Sequence, residues 1–301
     1  MTGTVVAKLP LHQLSCTLLL ATLSLIGLHP LIATFRLAIN DDEYTHILLI
    51  LPLSAALILL QWPSLRHMTA PNLRTGSALL AMAACIEGLN RFWMASLPGD
   101  IHLSIGMFAL VTAWISVFVL CLGSRVARSL LFPLCFLFWL VPFPQVLLSQ
   151  IVNLLQQGSA LAADALFTIV GVPVARDGIK LNIPGLTVEV ARECSSIRSS
   201  LMLLVTTMVV AQLLLRSPWR KAIVIAIAVP LSVAKNGLRI FTIAMLGTRV
   251  DTSYLTGRLH HQGGIVFLSI ALVAVFGLIW LLKRGEDDAV ISQAAIGQHV
   301  P

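Results

Sequence analysis

Three polar interruptions in an otherwise apolar chain carry side chains able to do covalent chemistry. They are Glu189-Val-Ala-Arg-Glu-Cys194-Ser-Ser-Ile-Arg198, Lys235-Asn236-Gly-Leu-Arg239 and Arg258-Leu-His260-His261. Cys194 stands just ahead of the apolar run 201–215, so the order of residues predicts a thiol at the N-terminus of a membrane helix. The positive end of a helix dipole and the nearby Arg192 and Arg198 both favour thiolate, the nucleophilic form. The competing reading is an inert thiol buried as a small hydrophobe, the usual fate of a membrane cysteine. Cys16, Cys85, Cys121 and Cys135 sit inside apolar runs with no CxxC or paired spacing and take that second reading.

Arg239 falls within an apolar helix, where an unpaired charge costs about 3 kcal/mol on insertion scales. No acidic residue lies in the flanking spans, so a lipid, a substrate group or a developing oxyanion is a suitable partner. Lys235, one turn earlier, competes for that role or snorkels to the membrane surface. His260 and His261 are either loop histidines without a role or the general acid and base beside a cysteine nucleophile, since imidazole titrates near neutrality. A zinc site from Cys194, His260 and His261 is disfavoured because adjacent histidines diverge on a helix and no fourth ligand stands out. Ser195 and Ser196 lack the G-x-S-x-G elbow of a serine hydrolase.

Positioning these groups falls to a helical membrane scaffold. Of 301 residues, 57% are hydrophobic and 11% charged, less than half the charge of an ordinary soluble domain. Long apolar runs exclude an outer-membrane barrel, whose strands would alternate. The net charge of +7 sits in short loops, which points to membrane orientation rather than nucleic acid. Eight spans are expected, at about 14–33, 47–60, 77–94, 103–122, 130–146, 196–215, 222–246 and 264–282, the second short enough to begin earlier, within 44–46. The first shows no small-residue cleavage pattern and reads as a span rather than a signal peptide. Residues 1–285 are expected to form one transmembrane domain, and 286–301 a short, disordered cytoplasmic tail.

Loop charges set the expected topology. Lys8, Arg66 with Arg74, Arg125 with Arg128, Arg216 with Arg220 and Lys221, and Lys283 with Arg284 occupy alternate loops without acidic neighbours up to Arg284. The intervening loops mix signs. Both termini are then cytoplasmic, and Cys194, Arg239 and His260 meet at the outer membrane edge. The long extracytoplasmic stretch 143–193 predicts three features. A helix over 145–170 has the composition to lie along the interface. Turns follow over 171–178. Strands at 179–183 and 186–190 form a hairpin around Pro184-Gly185.

Val190-Ala-Arg-Glu-Cys194-Ser-Ser-Ile-Arg198-Ser closely resembles the E-A-C-S-G-[IL]-R-S box of the exosortase/archaeosortase family. Asn236-Gly-Leu-Arg239-Ile resembles its N-x-x-R-[IV] helix, and His260-His-Gln-Gly-Gly264-Ile-Val-Phe267 its H-x-x-x-G-x-x-F segment. Tyr44-Thr-His46, Phe138-Trp-Leu-Val-Pro142-Phe-Pro144 and Val172-Pro-Val-Ala-Arg-Asp-Gly178 match further boxes in order. Ser196 and Arg192 depart from it, standing where the family often has Gly and Ala.

The resemblance implies a multi-pass membrane cysteine peptidase and transpeptidase of the cytoplasmic membrane. Its implied catalytic set is Cys194, Arg239 and His260, with Glu193, Arg198, Asn236 and His261 as supporting candidates. The H-x-x-x-G spacing to Gly264 favours His260 over His261. Implied substrates are exported proteins bearing a C-terminal sorting signal: a short motif (Pro-Glu-Pro in the best-known class), a membrane helix and a basic end. The acceptor is water or an amine of an envelope glycan or lipid, and no cofactor is needed. The rival function is a non-enzymatic transporter or assembly factor of envelope polysaccharide export, with Arg239 and Lys235 holding an anionic headgroup.

Overall fold

A computed structural model describes residues 11–93, 96–190, 197–251, 253 and 258–297. The chain divides into two compact units, Met1–Gln145 and Val146–Pro301. The first holds α1 (Leu11–Ile26), α2 (Leu28–Asn40), α3 (Ile47–Leu65), α4 (Leu73–Phe92), α5 (Gly99–Leu122), α6 (Ser124–Ser129) and α7 (Leu131–Phe136). The expected first span is broken: α1 and α2 meet at 71° around Gly27. A Cβ on Gly27 would lie 2.6 Å from Cδ1 of Leu110, so the glycine lets this corner press against α5. The short second span gains length as anticipated, since the apolar helical stretch covers Asp42–Leu65.

Two further departures lower the count of spans. Helix α4 packs on α5 through Gly76, where a Cβ would come within 2.4 Å of Leu120 Cγ. It carries Glu87, Asn90 and Arg91, tied into a polar network: Arg91 Nε donates to Glu87 at 2.8 Å, and His102 Nδ1 sits 2.7 Å from Asn90 Oδ1. That content keeps α4 out of the apolar class. The expected span 130–146 is instead α7, a 3-10 turn at Leu137–Leu140 and an irregular proline segment. Among the described residues five helices are long and apolar enough to cross a membrane, or up to seven if each of two bent pairs is one span. The eight expected spans are therefore not all continuous apolar helices. The protein is a helical, polytopic membrane protein with a small sheet.

The proline segment is held by its carbonyls, since proline has no N–H to give. Ser104 Oγ donates to Pro142 O at 2.7 Å and Tyr44 Oη to Phe143 O at 2.8 Å. The Gln145 N–H donates to the Asp100 carboxylate at 2.8 Å. Cys16 and Cys121 form a disulfide with Cα atoms 6.0 Å apart, a correction to their reading as unpaired apolar thiols. A separation of 105 residues along the chain gave no sequence signal for it. Cys85 and Cys135 are free and exposed, on outer helix faces rather than in the core.

In the second unit, α8 (Gln145–Ile169) is followed by β1 (Ala175–Asp177), β2 (Lys180–Ile183) and β3 (Leu186–Glu189), then α9 (Ile197–Leu214), α10 (Pro218–Arg249) and α11 (Arg258–Gly297). The expected hairpin forms as β2 and β3 around Gly185, whose φ of +82° suits glycine. The stretch 171–178 is not turns alone, because its residues 175–177 add a third antiparallel strand to β2. Helix α11 continues past Glu286 to Gly297.

Candidate active site

Alternation along the strands sends Leu181, Ile183 and Val190 into one apolar cluster with Ala160, Ala163 and Phe167 of α8 and Ile240 and Ala244 of α10. Phe167 and Phe241 meet edge to face at 5.0 Å. Small residues bring α8 onto α10: a Cβ on Gly237 would lie 2.5 Å from Ala162 Cβ. The sheet is thereby fixed to the part of α10 that carries Arg239.

A second cluster, built from Leu203, Ala211, Leu215, Val224, Ala271, Val275 and Ile279, packs α9, α10 and α11 together. The short connection 215–217 makes α9 and α10 antiparallel. At this end Glu286 of α11 accepts hydrogen bonds from the N–H groups of Arg216 and Ser217, at 3.0 and 2.8 Å. This clamp sets the register of the three helices. Ser217 is as many residues from Arg239 along α10 as Glu286 is from Gly264 along α11. On ideal helices, about 1.5 Å of rise per residue would put Arg239 level with Gly264 and His260 about 6 Å further along.

Helix α10 turns Ser232, Lys235, Asn236 and Arg239 inward, at i, i+3, i+4 and i+7, all buried. Arg239 is 7% exposed, Lys235 5% and Asn236 1%. The Lys235 ammonium donates to Ser199 Oγ in the first turn of α9, so Lys235 does not snorkel. The antiparallel pairing then sets Arg239 four residues, about 6 Å of rise, beyond Lys235, on the side from which α9 begins.

Of the expected site residues, Asn236 and Arg239 share this buried face. Arg198 lies on the exposed side of α9's first turn, turned away from the buried Ser199 and Ser200. His260 and His261 fall in the first turn of α11. Cys194 and Glu193 lie outside the described residues, between two fixed points. Upstream, Gln156 Nε2 donates to Val190 O at 2.7 Å, in the protein interior. Downstream, Lys235 holds Ser199. Sequence reasoning gave Gln156 no role beyond the polar face of its helix. The signal available was a glutamine on the small-residue side of that helix, beside Ser159 and Ala160.

A protein-family model described as transmembrane exosortase (Exosortase_EpsH) matches residues 38–277. No curated protein and no solved structure matches the chain.

Proposed function

The chain belongs to the transmembrane exosortase family, and from that membership we propose that it is a membrane cysteine endopeptidase and transpeptidase. Its substrates are exported proteins with a C-terminal motif, membrane helix and basic end, cut at the outer face of the cytoplasmic membrane. The observation that carries the reading is the buried Lys235–Asn236–Arg239 face of α10, bonded to the first turn of the helix that follows Cys194.

The Cys194 thiolate attacks the scissile carbonyl carbon, and a C–S bond forms. Arg239, whose guanidinium presents several donors in a fixed fork, stabilises the oxyanion. As the C–N bond breaks, His260 gives its proton to the leaving amine. The thioester then passes its acyl group to water or to an amine whose proton His260 takes, and the thiolate is restored. Holding the substrate helix against the bundle supplies orientation, which is worth several kcal/mol of the barrier.

The test is processing of a tailed exported protein in cells carrying wild type or Cys194→Ala at equal abundance. Loss of the tail with wild type alone supports the reading. Unchanged processing of every tailed protein in the two strains overturns it and favours a transport or assembly role, in which Arg239→Ala fails but Cys194→Ala does not.

A further inference from the structure

Strand β3 is the last strand of the sheet order β1-β2-β3, so one of its edges faces no neighbouring strand. Which backbone groups point there follows from its register. The Val190 N–H donates to Ile179 O, extending the pairing of Lys180 with Glu189 and Leu181 with Val188. In an antiparallel ladder bonded and non-bonded pairs alternate. Val188 and Leu186 therefore bond to β2, whereas the N–H and C=O groups of Thr187 and Glu189 point to the outer edge. Among the described residues no main-chain hydrogen bond is made along that edge.

The place of this edge gives it an occupant. The strand's apolar side, Leu186 and Val188, packs on the cluster that includes Ile240, the residue next to Arg239. Just past the strand, the carbonyl of Val190, four residues before Cys194 in the chain, accepts from Gln156 Nε2. Two outward donors and two outward acceptors, unbonded among the described residues and spaced two residues apart, match the main chain of an extended peptide. Such an edge is ordinarily blunted by shortness, charge, proline or a bulge; β3 is four residues long and carries Glu189, but it has no proline and pairs without a bulge.

We propose that the outer edge of β3 binds the main chain of the substrate as an added strand, in the extended segment just outside its membrane helix. The inference rests on the peptidase reading above. Recognition here is of backbone, which orders the segment and leads its scissile bond toward the groups next to the sheet, whatever its side chains.

The experiment uses purified full-length protein in lipid nanodiscs and a synthetic substrate N-methylated at one residue at a time upstream of the cut. Methylation removes one N–H and leaves the side chains intact. An added strand predicts a tenfold or greater loss of kcat/KM at alternate residues, with changes under twofold between them. Thr187→Pro, which removes an outward N–H and leaves the bonds to β2 in place, is expected to raise KM at least tenfold with a smaller change in kcat. Methylation effects without a two-residue period overturn the inference even if Thr187→Pro fails to fold, because the scan uses the wild-type enzyme. If the unmethylated substrate is not cleaved, the peptidase reading itself falls, and this inference with it.

Discussion

Arg239 and Lys235 stand one turn apart on the same buried face, and the proposed mechanism gives them different roles. Lys235 is committed to Ser199, so its ammonium holds the start of α9. In the proposed mechanism Arg239 supplies the planar, multi-donor contact with developing charge. Arg239→Lys keeps the charge but loses the fork. Substrate processing is expected to fall by about 10²–10³, the loss that follows removal of one oxyanion donor. A drop of less than fivefold, at normal abundance, would remove Arg239 from the chemistry. Lys235 is a positioning residue, and a double-mutant cycle reads that role. Lys235→Met and Ser199→Ala are each expected to slow processing about tenfold, and the double variant no more than either single one. Multiplying losses would mean that the lysine acts elsewhere than through Ser199. The sequence offered Lys235 as a rival of Arg239 or a snorkelling cation. It could not show the hydroxyl 36 residues away that accepts from Lys235.

At the level of elements, the pieces legible in the sequence were those written in local chemistry. The hairpin followed from alternating residues around Pro184-Gly185. The helices after Cys194 came from apolar length. What was missed depends on partners far along the chain. The 71° corner at Gly27 exists because Leu110 presses on it, and β1 exists because β2 supplies its hydrogen bonds. Helix α8 read as an interfacial helix, but its small residues also form the surface on which α10 and the sheet are mounted. Gly237 tests that mounting. A side chain there meets Ala162 Cβ at 2.5 Å and the Ala163 backbone nitrogen at 3.0 Å, an atom that cannot swing aside. Gly237→Val is expected to destabilise the protein by about 1–3 kcal/mol through overpacking and to cost activity beyond that loss of folded protein. Thermal unfolding in detergent checks the first, and processing per folded molecule the second. An unaltered melting temperature would show that α8 and α10 do not pack this closely.

For the molecule as a whole, function depends on which side of the membrane each end of the bundle faces. The Glu286 clamp gathers the α9–α10 turn and the far part of α11 at one end. The first turn of α9 and the sheet belong to the opposite end of the same helices. From loop charge the clamp end is expected to be cytoplasmic, since Arg216, Arg220, Lys221, Lys283 and Arg284 lie in that part of the sequence. The sheet end is then expected to face outward, the side on which the proposed substrates would be held by their own membrane helices. By the same rule the α3–α4 loop, with Arg66 in it and Arg74 in the first turn of α4, is expected inside. Single cysteines introduced by Asp177→Cys and His67→Cys, both at exposed positions, read out the two sides. The background carries serine at Cys85 and Cys135 and alanine at Cys194. A membrane-impermeant maleimide is expected to label residue 177 in intact cells or spheroplasts, and residue 67 only after lysis. The reverse pattern would put the candidate site in the cytoplasm. It would then be out of reach of substrates already exported, and the peptidase reading would lose its substrate class even with its residues intact.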